Sequence, residues 1–155
     1  MKEQECKHFT DSIVYLMEQT AAYCSSKGSQ FFDEANLGVS YDEYIIIDTI
    51  SFNIGICQRD LSKMILKDRS YTSRVLNGLE SRDLVLRKIE EKGKRLVKNL
   101  YLTKKGEQIL EKTHEKLKKA FLDLFKEISD EEFESIRNGL EKMKDCISKY
   151  TKMPL

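Results

Sequence analysis

The segment from Gln58 to Gly106 constrains the fold of this chain more than any other feature of the sequence. It holds two short stretches whose apolar residues have helical spacing. Two stretches in which apolar and polar residues alternate follow, one on each side of a glycine. This order is the plan of a helix-turn-helix followed by a β-hairpin, or wing. The charge agrees, because residues 58–105 carry 14 Lys and Arg against 6 Asp and Glu, whereas residues 1–57 carry 3 against 9. Positive charge concentrated in one third of a chain of net charge +1 predicts a DNA-binding module.

The composition narrows the class of protein further. A chain of 155 residues with 34% charged residues, 7 glycines and 1 proline favours one mainly helical domain. No apolar run approaches the roughly 20 residues of a membrane span, and the polar N-terminus is unlike a secretory signal. The cysteines are scattered without a metal-binding or redox pair, so we expect reduced thiols in a cytoplasmic protein: they are Cys6, Cys24, Cys57 and Cys146.

Apolar spacing and capping signals predict helices in the first third of the chain. A first helix starts near Phe9 and should fade at residues 25–29, where the sequence SSKGS supplies helix breakers. Ser40 and Glu43 form a capping box that opens a second helix, which continues to about Phe52. A short connector follows the second helix.

The same signals predict the elements of the basic segment and the C-terminal third. A third helix over residues 59–66 buries Leu61, Met64 and Ile65, and Asp68 caps a fourth helix that buries Val75, Leu76 and Leu79. Two strands over residues 84–89 and 96–102 flank a turn centred on Gly93. Thr103 caps a fifth helix, and Ser129 with Glu132 forms a second capping box. The predicted fold class is mainly α with a small β-hairpin wing (α+β).

The helices that flank the basic segment predict self-association. Residues 9–30 and 106–150 carry wide apolar faces that include Phe121, Phe125 and Phe133. Such surplus apolar surface is usually buried against a partner subunit. A symmetric homodimer would also place two recognition helices about 34 Å apart, which matches a palindromic operator in double-stranded DNA.

The sequence resembles the MarR-type transcriptional regulators over nearly its whole length, from about Phe9 to Ile147. The stretch QRDLSKMILKDRSYTSRVLNGLESRDLV is similar to the family's helix-turn-helix, and YLTKKG is similar to the Leu-Thr-x-x-Gly that opens its fifth helix. The resemblance implies a winged helix-turn-helix lobe over about 40–105, dimerisation helices over about 9–30 and 106–150, and a repressor function. The sequence departs in the wing, where the usual Asp-x-Arg is replaced by Gly93, Lys94 and Arg95.

Two clusters are the candidate DNA contacts. Polar residues at the start of the fourth helix can reach bases and phosphates, and an arginine there can bind guanine O6 and N7: they are Arg69, Ser70, Tyr71, Thr72, Ser73 and Arg74. Basic residues of the wing can follow phosphates or enter a narrow minor groove: they are Lys92, Lys94, Arg95 and Lys98. The plainer interpretations are an ordinary exposed helix start and a solvated turn.

The signal that releases DNA is less specified by the sequence. A small-molecule effector is one candidate partner. Oxidation of Cys24 in the first helix is the other, although a lone cysteine is more often a small buried hydrophobe. His8 and His114 lack metal-ligand spacing, and no motif for catalysis or a cofactor is present. The alternative function is a winged-helix module that binds protein or RNA without binding an operator.

Overall fold

The structure is a computed structural model that describes residues 8–92 and 95–151. A short 3-10 helix over Phe9–Asp11 precedes six α-helices, α1 to α6: Ile13–Ala35, Tyr41–Phe52, Gln58–Met64, Arg69–Ser81, Lys104–Leu124 and Asp130–Ser148. The three strands, β1 to β3, are Ile56–Cys57, Val85–Lys92 and Arg95–Leu102. The chain forms two compact units, Met1–Ile45 and Ile46–Leu155. These elements confirm the predicted class of helices with a small β-sheet wing.

The first helix corrects one prediction, because α1 continues without a break through residues 25–29. Its N-cap is Ser12, whose hydroxyl accepts a hydrogen bond from the Tyr15 amide, and its C-cap is Asn36 at φ 44°. Gly28 is not a helix breaker here. A Cβ added to Gly28 would lie 2.9 Å from the ring of Tyr41, so the glycine provides room for that ring. Close packing within this unit outweighs the helix-breaking tendency of the segment.

The start of α2 confirms the predicted capping box. The Ser40 amide donates to Glu43 Oε2 at 2.9 Å, and the Glu43 amide donates to Ser40 Oγ at 3.3 Å. Nearby, the buried ring of Phe32 lies 5.7 Å from the Tyr41 ring and 5.2 Å from the Tyr44 ring, measured between centroids. This aromatic cluster forms the core of the first unit.

The helix-turn-helix consists of α3 and α4. Leu61, Leu76 and Leu79 are completely buried, and Ser62 is buried with its hydroxyl donating to the carbonyl of Gln58 at 2.7 Å. The prediction that Met64 is buried was wrong, since 54% of Met64 is exposed. Helix α3 ends at Met64, earlier than predicted, and the chain then turns through a left-handed residue at position 66.

The sheet contains one strand that the sequence did not predict. The order is β1-β3-β2, and the two-residue β1 pairs Ile56 with Leu100 and Cys57 with Asn99. The strands β2 and β3 confirm the predicted hairpin and extend it to the pair Lys92 with Arg95. The predicted turn residue Gly93 lies outside the described residues.

The junction between the wing and α5 explains the YLTKKG motif. The Thr103 hydroxyl accepts from the Gly106 amide as the helix N-cap and donates to the carbonyl of Asp83 at 2.7 Å. A Cβ on Gly106 would lie 2.2 Å from the carbonyl oxygen of Leu84. Threonine and glycine at this spacing therefore fix α5 against the end of α4 and the start of β2.

The C-terminal helices expose apolar surface. The predicted capping box at Ser129 and Glu132 is confirmed at the start of α6. Phe121, Phe125 and Phe133 pack together with ring centroids 4.7 to 5.8 Å apart. Several large apolar residues on these two helices are 44% to 62% exposed, namely Phe121, Leu122, Leu124, Ile136, Leu140 and Ile147. None of the helices, so far as the structure describes them, is long and apolar enough to cross a membrane.

Candidate nucleic-acid interface

Helix α4 separates into a buried face and an exposed polar face. Leu76 and Leu79 are buried, whereas Arg74 and Asn77, three residues apart on the other side, are exposed. The exposed side continues at both ends of the helix with Ser70 and Ser81. This spacing gives one continuous polar row, which we call the α4 outer row: Ser70, Arg74, Asn77 and Ser81. Its hydroxyl, guanidinium and amide groups are those that contact DNA bases and phosphates.

The structure divides the residues predicted to contact DNA at the start of α4. Arg69, Ser70 and Arg74 are exposed, and Tyr71 and Ser73 are half-buried. Thr72 is completely buried, and its hydroxyl donates to the carbonyl of Asp68 at 2.8 Å. We therefore leave Thr72 out of the proposed contact set.

The start of α4 is held by two contacts. Asp68 Oδ1 accepts from the Tyr71 amide at 2.8 Å, which confirms the predicted N-cap. The side-chain Nε2 of Gln58, at the start of α3, donates to the backbone carbonyl of Arg69 at 3.4 Å. These bonds fix the first turn of α4 relative to α3, so the exposed side chains start from a defined backbone.

The half-buried Tyr71 contacts two cationic side chains. Lys67 Nζ lies 5.1 Å from the centroid of the Tyr71 ring, and Arg74 Cζ lies 5.3 Å from it. Both distances are within the range of a cation–π interaction. From the sequence, Tyr71 was predicted to contact DNA as a polar residue, and Lys67 was not among the predicted contacts.

An arginine at the base of the wing links it to α4. Arg87 Nη1 donates to Glu80 Oε2 at 2.6 Å, and both terminal nitrogens of Arg87 donate to Asn77 Oδ1 at 3.0 Å. The side chains of Arg87 and Glu80 are 21% and 34% exposed. Sequence reasoning missed this contact because its partners lie in different elements.

The described part of the wing presents charge beside apolar surface. Lys88 and Lys98 are exposed, and Ile89 and Leu96 are 64% and 76% exposed. Ile89 is paired with Lys98 across the hairpin. Of the other predicted wing contacts, Lys94 lies outside the described residues, and the structure describes the backbone but not the side chains of Lys92 and Arg95.

A hydrogen-bonded cluster lies on the face of the wing that also carries Lys88. The Tyr101 hydroxyl donates to Glu90 Oε1 at 2.5 Å, and the Asn99 side-chain Nδ2 donates to Glu90 Oε2 at 2.6 Å. These two donors hold the pKa of Glu90 below its usual value. The same bond raises the pKa of Tyr101, because the carboxylate disfavours loss of the phenol proton. Lys88 Nζ lies 4.9 Å from the Tyr101 ring centroid.

Solved structures match this arrangement over nearly the whole chain. A MarR/EmrR family transcriptional regulator from Acinetobacter sp. ADP1 gives a TM-score of 0.78 at 18% identity, covering 88% of this chain and 94% of that one. S. aureus MepR in complex with DNA gives a TM-score of 0.72 at 20% identity, covering 90% of this chain and 99% of that one. A SlyA-like transcription regulator from Listeria monocytogenes gives a TM-score of 0.73 at 25% identity, covering 89% of this chain and 90% of that one. The chain has the fold of the MarR-type regulators.

No protein-family model and no curated protein matches the sequence. The MarR-type fold nevertheless confirms the winged helix-turn-helix architecture predicted from residues 58–106. Within it, the α4 outer row belongs to the second helix of the helix-turn-helix, and Arg87 connects that helix to the wing. Helix α4 and the first strand of the wing are therefore joined by side-chain bonds through Arg87.

A cavity of about 410 Å³ lies in the second unit, lined by residues of α2, β3, α5 and the loop after α2. Its apolar lining consists of Ile50, Ile54, Leu102, Leu110 and the ring of Tyr101. Three carboxylates at four-residue spacing on α5 complete one side: Glu107, Glu111 and Glu115. His114 also lines the cavity, and its Nε2 lies 2.7 Å from Asp48 Oδ1.

The cysteine predicted as a redox sensor is exposed. Cys24 lies on α1 as a free, exposed thiol in this single chain, so the expectation that it is buried is wrong for the protomer. Lys27, three residues after Cys24 on α1, donates to Gln30 Oε1 at 3.3 Å. Within residues 8–92 and 95–151, no group of three or more His, Cys, Asp or Glu side chains is placed to hold a metal ion.

Proposed function

We propose that this protein is a MarR-type transcriptional regulator that binds a palindromic operator in double-stranded DNA as a homodimer. The observation that carries the proposal is the α4 outer row, exposed and polar on a helix whose opposite face is buried. The net charge of +8 over residues 58–105 supports a polyanionic partner. The similar MepR structure is a complex with DNA, and the similar proteins from Acinetobacter and Listeria are transcription regulators.

In this proposal Arg74 contacts base edges. An exposed guanidinium on the second helix of a helix-turn-helix can donate two hydrogen bonds to guanine O6 and N7, worth about 1–3 kcal/mol of discrimination. Arg69, Ser70 and Ser73 contact phosphate or nearby base edges. The wing adds phosphate or minor-groove contacts through its cations, which are Lys92, Lys94, Arg95 and Lys98.

The test begins by selecting an operator from a pool of random duplexes with the parent protein. We expect a palindrome, and we expect Arg74→Ala to weaken binding to it by roughly 10- to 100-fold at constant salt. Arg137→Ala is the matched control, since it removes the same charge from an exposed site on α6. Equal binding by the parent and Arg74→Ala would refute the assignment of Arg74.

A second measurement separates duplex DNA from other partners. The logarithm of the binding constant should fall steeply with the logarithm of the salt concentration, because phosphate contacts release counterions. If no duplex is enriched, and the protein instead captures single-stranded RNA or a protein, the operator-binding function is wrong and the alternative interaction module is correct.

We further propose that the protein is a cytoplasmic repressor and not an enzyme. A reporter gene placed behind the selected operator tests the sign of regulation: expression should rise when the protein is deleted. Expression that falls on deletion would show an activator.

The cavity in the second unit is the proposed effector site. Apolar walls and three carboxylates favour a small ligand with an apolar body and a positive charge, and disfavour an anion. Benzylamine and benzoate are suitable probes, because they share a ring and differ in the sign of charge. We expect benzylamine to bind by calorimetry and Glu111→Gln to weaken it. Tighter binding of benzoate would contradict the assignment.

Oxidation of Cys24 is the second proposed release signal. Its exposure in the protomer makes the thiol accessible to peroxide. Peroxide should release DNA from the parent at lower concentration than from Cys24→Ser. The same sensitivity in both proteins would eliminate this cysteine as a sensor.

A further inference from the structure

Two cationic side chains converge on one aromatic ring at the start of α4. Arg74 follows Tyr71 by three residues, the spacing that places side chains on the same helical face. Lys67 precedes Tyr71 by four residues and lies outside the helix, directly before the N-cap Asp68. The two charges are 5.3 Å and 5.1 Å from the ring centroid.

The backbone around this cluster is well anchored. The chain enters α4 through Leu66 at φ 57°, and the Lys67 amide donates to the carbonyl of Ser62 at 3.1 Å. The Tyr71 amide donates to Asp68 Oδ1 at 2.8 Å. The positions from which Lys67 and Tyr71 project are therefore fixed by hydrogen bonds on both sides of the turn.

We propose that Tyr71 is a positioning residue that acts through its ring, holding Lys67 and Arg74 together on the DNA-binding side of α4. The inference rests on the proposed function. The sequence suggests that the Tyr71 hydroxyl contacts a base or phosphate, whereas here the ring of Tyr71 positions two cations. The inference also adds Lys67 to the set of cations that contact DNA.

The physical reason is conformational entropy. Arginine and lysine have long, flexible side chains, and ordering them at an interface opposes binding. A ring that already restricts both cations in the free protein reduces this cost. It also keeps the Arg74 guanidinium beside an aromatic ring, an arrangement that arginine adopts readily.

A test in the free protein requires no DNA. In the NMR spectrum the ring of Tyr71 should shift the side-chain methylene signals of Lys67 and Arg74 upfield. The shift should persist in Tyr71→Phe, which retains the ring, and should disappear in Tyr71→Leu. Identical Lys67 and Arg74 shifts in the parent and Tyr71→Leu would overturn the ring contact itself.

The DNA test uses the same variants with the selected operator. We expect Tyr71→Phe to bind within about twofold of the parent and Tyr71→Leu to bind about 3- to 10-fold more weakly, as the loss of two partly exposed cation–π contacts predicts. In the Arg74→Ala background the effect of Tyr71→Leu should shrink, because one held cation is already absent. Circular dichroism confirms folding, and Tyr71→Trp should restore binding.

Each outcome decides the role of Tyr71. If Tyr71→Phe loses as much affinity as Tyr71→Leu, the hydroxyl carries the contact and the proposal is wrong. If Tyr71→Leu binds like the parent, or loses the same affinity with and without Arg74, the ring does not position that arginine. If the parent selects no duplex at all, the proposed function fails instead, while the NMR result still decides whether the ring holds the cations.

Discussion

Gly106 shows how a single missing side chain can fix the junction of two elements. Replacing a glycine within a helix by alanine normally raises a protein's free energy of unfolding by up to about 1 kcal/mol. At Gly106 the added Cβ would meet the Leu84 carbonyl oxygen at 2.2 Å, and backbone cannot move away cheaply. We expect Gly106→Ala to lower the free energy of unfolding by about 1–3 kcal/mol in urea denaturation.

Gly78 provides the matched control for this substitution. It lies within α4, where an added Cβ meets nothing within 4 Å. We expect Gly78→Ala to raise the free energy of unfolding by up to about 1 kcal/mol. An increase in stability for Gly106→Ala as well would show that the junction can open without cost.

The lowered pKa of Glu90 predicts how the stability of the fold depends on pH. Its folded-state pKa is lowered mainly by the bond from the Tyr101 hydroxyl and then by the bond from the Asn99 amide. A lowered pKa stabilises the fold at pH values above the ordinary glutamate range, and this stabilisation is lost as the pH falls through the folded pKa. We expect an NMR titration of Tyr101→Phe to show the Glu90 pKa moving up toward 4.5.

Glu132 is an internal control in the same titration. Its pKa is lowered by the backbone and side chain of Ser129 at the start of α6, and Tyr101 is not among the causes. It should therefore titrate alike in the parent and in Tyr101→Phe. A Glu90 pKa that does not change would mean that the Asn99 amide and Lys88 suffice to stabilise the carboxylate.

At the scale of elements, Arg87 joins the wing to α4. Its guanidinium bridges Asn77 and Glu80, so Arg87→Ala should lower the free energy of unfolding by about 1 kcal/mol. Arg87→Lys should recover little of this loss, because one ammonium cannot reproduce the planar fork of donors. A double-mutant cycle with Glu80→Gln measures the coupling, for which we expect about 0.5–1 kcal/mol.

The Arg87 variants should also weaken DNA binding. They keep every side chain of the α4 outer row and remove only the bonds that Arg87 donates to Asn77 and Glu80. The wing would then lose a contact that fixes its direction relative to α4. A coupling energy near zero, together with unchanged affinity for the operator, would show that the sheet alone positions the wing.

How far the sequence predicts each element depends on how local its determinants are. The capping boxes at Ser40 and Ser129 are formed by residues three apart, and both were predicted. Within α1, Gly28 packs against the ring of Tyr41 in the next helix, and the two residues of β1 form a strand by pairing with β3. Such pairings over longer distances leave no pattern in the sequence near the element itself.

The candidate site follows the same rule. Thr72 is buried because it shares a helical face with Leu76 and Leu79, and that spacing could have excluded it from the predicted contacts. The link from Arg87 to Glu80 joins β2 to α4, and the Tyr71 contact with Lys67 crosses the start of a helix. In the sequence, each of these two contacts is indicated only by two residues of suitable type, with no spacing that would connect them.

At the scale of the whole molecule, the exposed apolar residues of α5 and α6 predict the oligomeric state. Leu122 is 62% exposed and Leu140 is 44% exposed, on helices that leave further large apolar side chains uncovered. Burying such a surface between two copies would remove it from water. We expect sedimentation to give the parent twice the 18.1 kDa mass of one chain.

The double variant Leu122→Glu with Leu140→Glu should sediment as a monomer, since two carboxylates would have to be buried in the dimer interface. Its affinity for the full palindrome should fall at least about 10-fold, because the second half-site is no longer bound by a linked subunit. Binding to a single half-site should change little. Ile89→Glu, at a 64% exposed wing position, is the control for an added charge and should remain dimeric. A parent protein that sediments at the mass of one chain, or a double variant that stays dimeric, would contradict the role of these helices.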